Sequence, residues 1–508
     1  MPVPSPSAHR LAPALVTCLA LAAAAPVLAQ VTSWPTEAPP RPLPAREVTF
    51  PPYEIRTLPN GLQVVVVMHD EQPVLTLRML VRSGSAYDPP GKEGLAAMAA
   101  TLLDQGTTTR TAGDIADTID SIGGHLGTGA GSDLSFAHVL VMTDSFRFGL
   151  ELLSDVVRNP AYSQEELDRQ RQQALSGLQV SYQDPDYVAN LVFDRLVYGF
   201  HPYGLPNSGT PGSLTSLTTD DLRQYHARFF HPNNAILAIV GDTTAEAAFK
   251  AAEQVFGSWP RAEVSLPVIA EPPRPTRRVV IVNKPDAVQT EVRVGHIGIP
   301  RNHPDYLAMD LAVKILGGEG SNRLHRVLRS ERGLTYGAEA DMTALKQAGD
   351  VAANTDTRTE TTAEVLRLIV DEFARLQRER VSPRELGDAQ AYLAGNFPLT
   401  IETADAIAAQ VLNVLFYDLP LSEIPTYRER VNAITPDDIQ RVAKQYLKPD
   451  RLSVVLVGNA AAFSGQLAGL GFESFEQIEL HELDLTSADF RRRRGPAGAP
   501  AAPTRSEP

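Results

Sequence analysis

The sequence predicts an α+β protein built from two duplicated α/β-sandwich domains, each a mixed or antiparallel sheet with helices on one face, joined by a proline-rich linker. Three observations carry this. "LTTDDLRQYHARFFHPNNAILAIVGD" (residues 217–242) aligns without a gap to "ITPDDIQRVAKQYLKPDRLSVVLVGN" (434–459), 217 residues on. Each copy runs from a threonine cap (Thr218, Thr435) through an amphipathic helix, turns at Pro232 or Pro449, and ends as an apolar strand at Gly241 or Gly458. One helix–turn–strand unit repeated at so wide a separation indicates a duplicated domain rather than a short-period solenoid. Strands and helices are interleaved around both copies, and some neighbouring strands are joined by short loops, which favours a mixed sheet.

The 508 residues suit two ordinary domains, and 43% hydrophobic with 21% charged residues is the composition of a globular chain. Residues 1–29 have the form of an export signal. His9 and Arg10 precede an apolar run over 11–25, and "APVLAQ" offers a cleavage site after about Ala29. That run is too short for a stable span, so an exported chain, with a periplasmic home, is expected. The single cysteine, Cys18, lies inside this signal in "LVTC", a poor lipobox, so a cleaved chain has neither disulfides nor a thiol nucleophile. A net charge of −14 disfavours nucleic acid as a partner.

Residues 30–45 are a proline-rich lead-in and 46–257 the first domain. In it, "LQVVVVM", "VLTLRMLVRSG" and "LSFAHVLVM" read as strands and "DSFRFGLELLSDVVRNP" as a helix. Ser163 and Glu166 predict a capping box for a long helix to about Gln183. "SWPRAEVSLPVIAEPPRPTRR" (258–278) is the semi-rigid linker. The second domain, 279–475, repeats the mix: strands "RRVVIVN" and "TEVRVGHIGI", then helices over 304–316 and 322–332. Residues 476–508, with the basic run 491–494, read as a mostly disordered tail.

"GLAAMAATLLDQGT" (94–107) reads as an alanine-rich helix whose Ala97, Ala100 and Thr101 share one face. With "RSGSAYDPPGKEG" before it, it resembles the first-domain motif of the insulinase/pitrilysin (inverzincin) metallopeptidases. "YQDPDYVANLVFDRLVYGFHPYG" (182–204) and "LGGEGSNRLHRVLRSERGLTYGAEADM" (316–342) resemble two further segments of that family. The resemblance runs in order over about residues 50 to 470.

In active members the first motif is H-x-x-E-H. Imidazoles at i and i+4 face one side of a helix and share a zinc ion at about 2.0–2.1 Å. The glutamate between them takes the proton of a bound water. Here those positions are Ala97, Ala100 and Thr101, and Ser176 or Gly177 falls where the family's distal glutamate ligand belongs. Methyl groups and a lone hydroxyl do not bind zinc, so the resemblance implies an abandoned metal site: no metal and no cofactor in this chain. None of the histidines is spaced as a ligand pair with a carboxylate. His201 and His231 read as turn residues, and His125 and His138 lie near a strand pair.

The second domain keeps "LRSERGLTY", with Arg329 seven residues before Tyr336. In the family such a pair, in the domain without zinc, reaches a zinc-bearing domain, binds substrate and stabilises an oxyanion. Both side chains are donors suited to developing negative charge. Arg332 competes for the arginine role. The resemblance also places a peptide-binding edge strand in "GGHLGTGAGSDLSFAHV" (123–139), for which a glycine-rich hairpin is the plain alternative. Its glycines are no dinucleotide fingerprint, "GGEGS" (317–321) lacks the Lys-Ser/Thr of a phosphate loop, and no G-x-S-x-G elbow is present.

Two functions follow as expectations. One is a non-catalytic subunit of a heteromeric zinc peptidase, with zinc in a homologous partner subunit and peptides as substrates. The other is a stand-alone peptide-binding or scaffold protein.

Overall fold

A computed structural model describes residues 49–318, 322–472 and 474–492. The signal, Cys18, the whole lead-in, residues 319–321 and 473, and the stretch from 493 onward lie outside the described residues.

The first half contains β1 (Tyr53–Thr57), β2 (Gln63–Met68), β3 (Val74–Val81), β4 (His125–Ala130), β5 (Ser135–Met142) and β6 (Ala235–Gly241). They form one sheet in the order β1-β2-β6-β3-β5-β4. The second half contains β7 (Val279–Asn283), β8 (Gln289–Gly298), β9 (Ala338–Ala344), β10 (Gly349–Arg358), β11 (Ser453–Gly458) and β12 (Glu476–Glu479), in the order β12-β7-β11-β8-β10-β9. The five strands β2-β6-β3-β5-β4 correspond to β7-β11-β8-β10-β9, each set with one parallel pair (β2 with β6, β7 with β11) among antiparallel ones. The outer strand differs: β1 joins antiparallel to β2, whereas β12 joins parallel to β7.

The principal helices are α1 (Leu95–Thr101), α2 (Phe146–Arg158), α3 (Gln164–Ser181), α4 (Pro185–Tyr198), α5 (Thr219–Phe229), α6 (Ala245–Phe256), α7 (Tyr306–Val313), α8 (Thr362–Arg378), α9 (Ala404–Phe416) and α10 (Pro436–Tyr446). The repeated unit is α5–β6 in one half and α10–β11 in the other. Thr218 and Thr435 cap their helices in the same way, each in a reciprocal box with the aspartate three residues on. At α3 the predicted box is half made. Ser163 accepts from the Glu166 amide, but the Glu166 carboxylate turns to Arg169 at 2.7 Å, because a guanidinium one turn on is the better partner.

"QVVVVM" is apolar at successive positions because both faces of β2 are covered. Val64 and Val66 face a core with Leu153 of α2, Phe229 of α5 and Phe249 of α6. Val65 and Val67 face Ile407, Ala408, Val411 and Leu412 of α9, which belongs to the second half. The exchange is mutual. Val280, Val282, Val455 and Val457 of the second sheet pack against Val188, Val192, Phe193 and Leu196 of α4, from the first half, while the opposite face of that sheet packs on α7, α8 and α10. Each sheet thus carries its own helices on one face and is covered on the opposite face mainly by one helix from the other half. Every fully buried side chain of this kind is worth about 1.5–3 kcal/mol, so the halves are locked together through apolar burial.

Residues 476–492 depart from the expected tail. β12 extends the second sheet, Phe490 is fully buried in the α4 cluster, and the buried Arg195 of α4 donates through Nε to Leu485 O at 2.8 Å. The signal was weak because an apolar side chain falls only every few residues among charges. The linker is also fastened: Trp259 is buried in the first-half core and its carbonyl accepts from Asn60. Among the described residues no single helix is long and apolar enough to cross a membrane.

Candidate functional site: an alanine-lined helix and an arginine–tyrosine pair

α1 starts at Gly94, whose φ of 88° favours glycine and whose Cβ, if present, would lie 2.9 Å from Gly209 Cα. The Asp88 carboxylate accepts from the amides of Gly94 and Ala96, both at 2.9 Å, and so closes the helix start. Burial nonetheless pushes the Asp88 carboxyl up to about 8. Ala96 and Ala99 are core residues, and Tyr162 donates to Ala99 O at 3.2 Å. The helix packs on α5 and β4.

Ala97 and Thr101 are partly exposed and Ala100 is fully buried. Ser176 and Gly177 are exposed on α3, with open space where a Cβ of residue 177 would stand. The donor set at these positions is two methyls, one hydroxyl and either a glycine hydrogen or a second hydroxyl. It does not fit a zinc ion, which takes imidazole, thiolate or carboxylate ligands. Among the described residues no three His, Cys, Asp or Glu side chains gather in a way that would hold a metal.

The other histidines have structural surroundings. His201 caps the turn at Tyr203 through Nδ1, and His231 precedes the turn at Pro232. The rings of His125 on β4 and His138 on β5 stack at 5.2 Å.

β4 is one of the two edge strands of its sheet and, among the described residues, is bonded only to β5. Its glycines have a local cause. A Cβ at Gly129 would lie 2.8 Å from the Phe136 ring, and one at Gly127 would collide with the His138 ring. These glycines make room for cross-strand aromatic rings.

Arg329 and Tyr336 come together in space. Arg329 sits on a π-helical segment, His325–Glu331. The chain reverses at Gly333 (φ 61°), where the Gly333 amide donates to Arg329 O at 3.0 Å and the Leu334 amide to Leu328 O at 2.8 Å. This turn returns Tyr336 beside the helix, with the Arg329 guanidinium 4.6 Å from its ring centre. Tyr336 is 82% exposed. Arg332 is instead engaged with Glu364 at 3.4 Å. Geometry therefore pairs Tyr336 with Arg329.

A cavity of about 1400 Å³ opens elsewhere, between the loop at Asp88–Glu93, the segment around Phe200, and residues 479–492. None of Ala97, Ala100, Thr101, Gly177, Arg329 or Tyr336 lines it.

Residues 64–209 match the family model described as insulinase (peptidase family M16), and residues 216–393 match the one described as peptidase M16 inactive domain. The uncharacterised zinc protease YmxG of Bacillus subtilis is 22% identical over 76% of this chain and 93% of its own length. The uncharacterised zinc protease SCO5738 of Streptomyces coelicolor is 25% identical over 78% and 88%. A crystal structure described as a peptidase M16 inactive domain, from Pseudomonas fluorescens, superposes with a TM-score of 0.76 at 29% identity, covering 80% of this chain and 98% of that one. With the duplicated half, the α1 helix and these matches, the chain belongs to the insulinase family of metallopeptidases, peptidase family M16.

Proposed function

We propose that this chain is the non-catalytic subunit of a heteromeric zinc peptidase that degrades or processes peptides. The observation that carries the reading is a contrast. By the resemblance, α1 is the helix that holds the zinc ligands in active family members, and it carries Ala97, Ala100 and Thr101 where the ligands and the base would stand. Arg329 and Tyr336 remain exposed and paired. The match of residues 216–393 to an inactive-domain model supports it.

In this reading zinc belongs to a homologous partner subunit carrying H-x-x-E-H. Tyr336 supplies a phenolic donor and Arg329 a guanidinium to a substrate carbonyl in the shared chamber, where preorganised donors act on developing negative charge. The apolar run over 11–25 and the site after Ala29 support export to the periplasm.

The test is a pull-down of the tagged mature chain from its native host, with bound proteins identified by mass spectrometry. Recovery of a similar-sized H-x-x-E-H chain supports the subunit. Recovery of the chain alone, or of unrelated proteins, favours the stand-alone peptide-binding protein, for which the free β4 edge is the relevant feature.

A further inference from the structure

A second cavity, about 420 Å³, lies in the second half between α7, the helices Pro383–Asn396 and Tyr427–Ala433, and α9. That volume is within the range of small-molecule sites, about 300–1,000 Å³. Asp310 of α7 lines it, and is a lone acid in the apolar run "LAMDLAV". Among the described residues no hydrogen-bond donor reaches its carboxylate. Burial pushes its carboxyl above the usual range, with Lys314 and Arg301 opposing. An acidic group left in such a state inside a concavity marks a candidate site.

The rest of the wall narrows the ligand. Arg301 lines the cavity with its guanidinium 4.0 Å from the Tyr306 ring centre, and it pairs with no carboxylate among the described residues. Lys314 is turned toward Asp341 at 3.3 Å. Tyr427 adds a second aromatic wall, held by stacking on Phe397 at 4.8 Å. A bare anion would meet Asp310, and a bare metal cation would meet Arg301 and Lys314. A molecule carrying both charges answers both groups: an ammonium for Asp310 and the tyrosine faces, and a carboxylate for the arginine fork.

We propose that this cavity binds a small zwitterion with a free amino group and a free carboxylate, a free α-amino acid or a dipeptide, held between Asp310 and Arg301. The site belongs to this chain alone and does not rest on the subunit assignment.

The experiment is isothermal titration calorimetry on the full mature chain without any partner, using leucine, glycyl-leucine, N-acetyl-glycyl-leucine and glycyl-leucinamide. Saturable binding is expected for leucine or glycyl-leucine. Affinity is expected to fall roughly tenfold or more for both capped dipeptides, as for loss of one charged hydrogen bond. Asp310→Asn and Arg301→Gln are expected to weaken the binding by the same order, with melting temperature checked alongside. No binding of either zwitterion up to about 10 mM, a range that covers weak small-ligand sites, overturns the proposal. So does equal binding of the capped dipeptides, a comparison that needs only the unsubstituted chain.

Discussion

The hydroxyl of Tyr198, on α4 of the first half, donates to the Asp350 carboxylate on β10 of the second half at 2.8 Å, inside the interface where α4 covers the second sheet. Asp194, one turn earlier on α4, lies half-buried beside it. Burial and the Asp350 charge push the Asp194 carboxyl up to about 8, and burial holds Asp350 at about 6. The hydrogen bond to Asp350 in turn adds to burial in raising the Tyr198 hydroxyl. The lock between the halves is built around carboxyls that fold best protonated.

That arrangement predicts how stability changes with pH. An acid whose folded pKa lies above its unfolded value binds more protons in the folded state, so its contribution is full at low pH and is lost as pH rises through the folded value. Asp194 and Asp88, both raised to about 8, and Glu291, raised to about 7, all act in this direction. His226 and His296 are lowered to about 4 by burial and act the other way, but their effect is complete near the ordinary histidine value. Unfolding free energy should therefore fall from about pH 6.5 to about 8, by up to about 1.4 kcal/mol per pH unit for each such acid. Denaturant titrations across that range test it, and Asp194→Asn should flatten the slope.

The segment after residue 475 is expected to be part of the folded unit. Phe490 is fully buried beside Arg195 and Arg278. Phe490→Ala should cost about 3–5 kcal/mol, measured by the same denaturant titration. A cost within about 0.5 kcal/mol, that of a surface change, would show this segment to be loosely attached.

Metal removal should leave the fold alone. The α1 positions offer no zinc ligand, and metal bound only by a folded chain stabilises it. Dialysis of the purified mature chain against EDTA should shift its Tm by no more than about 1 °C, below the effect of about 1 kcal/mol. Stoichiometric zinc by elemental analysis, with a larger shift on removal, would contradict the reading of α1.

The duplicated unit was legible because α5–β6 and α10–β11 keep their caps, turns and closing glycines at a constant offset of 217. Strands β2, β3, β5, β6, β7, β8 and β11 were legible from their apolar runs, whereas β1, β9, β10 and β12 were not; the Arg329–Tyr336 pair came from the family resemblance of "LRSERGLTY". What could not be read was which sheet each apolar helix would cover. α4 carries Val188, Val192, Phe193 and Leu196 whichever half it covers, and only tertiary packing directs it to the second sheet. Asp88, Asp194 and Asp350 were missed for the same reason: an aspartate gives no local sign that its partner or its burial lies in distant sequence. Asp310 did carry a sign, a charge inside an apolar helical run, and it passed unused.

Exposure separates the proposed catalytic role of the arginine–tyrosine pair from stability. Tyr336 is 82% exposed and Arg329 is on the surface, so Tyr336→Phe should leave the melting of this chain within about 0.5 kcal/mol of unsubstituted protein.

The most direct measurement is peptide hydrolysis by this chain reconstituted with the proposed H-x-x-E-H partner, with unsubstituted and Tyr336→Phe chains compared at equal assembly. No hydrolysis is expected from this chain alone, and a kcat lower by about 10²-fold or more is expected for the pair carrying Tyr336→Phe, the scale of losing one oxyanion donor. Unchanged kcat in that pair would contradict the proposed role of Tyr336.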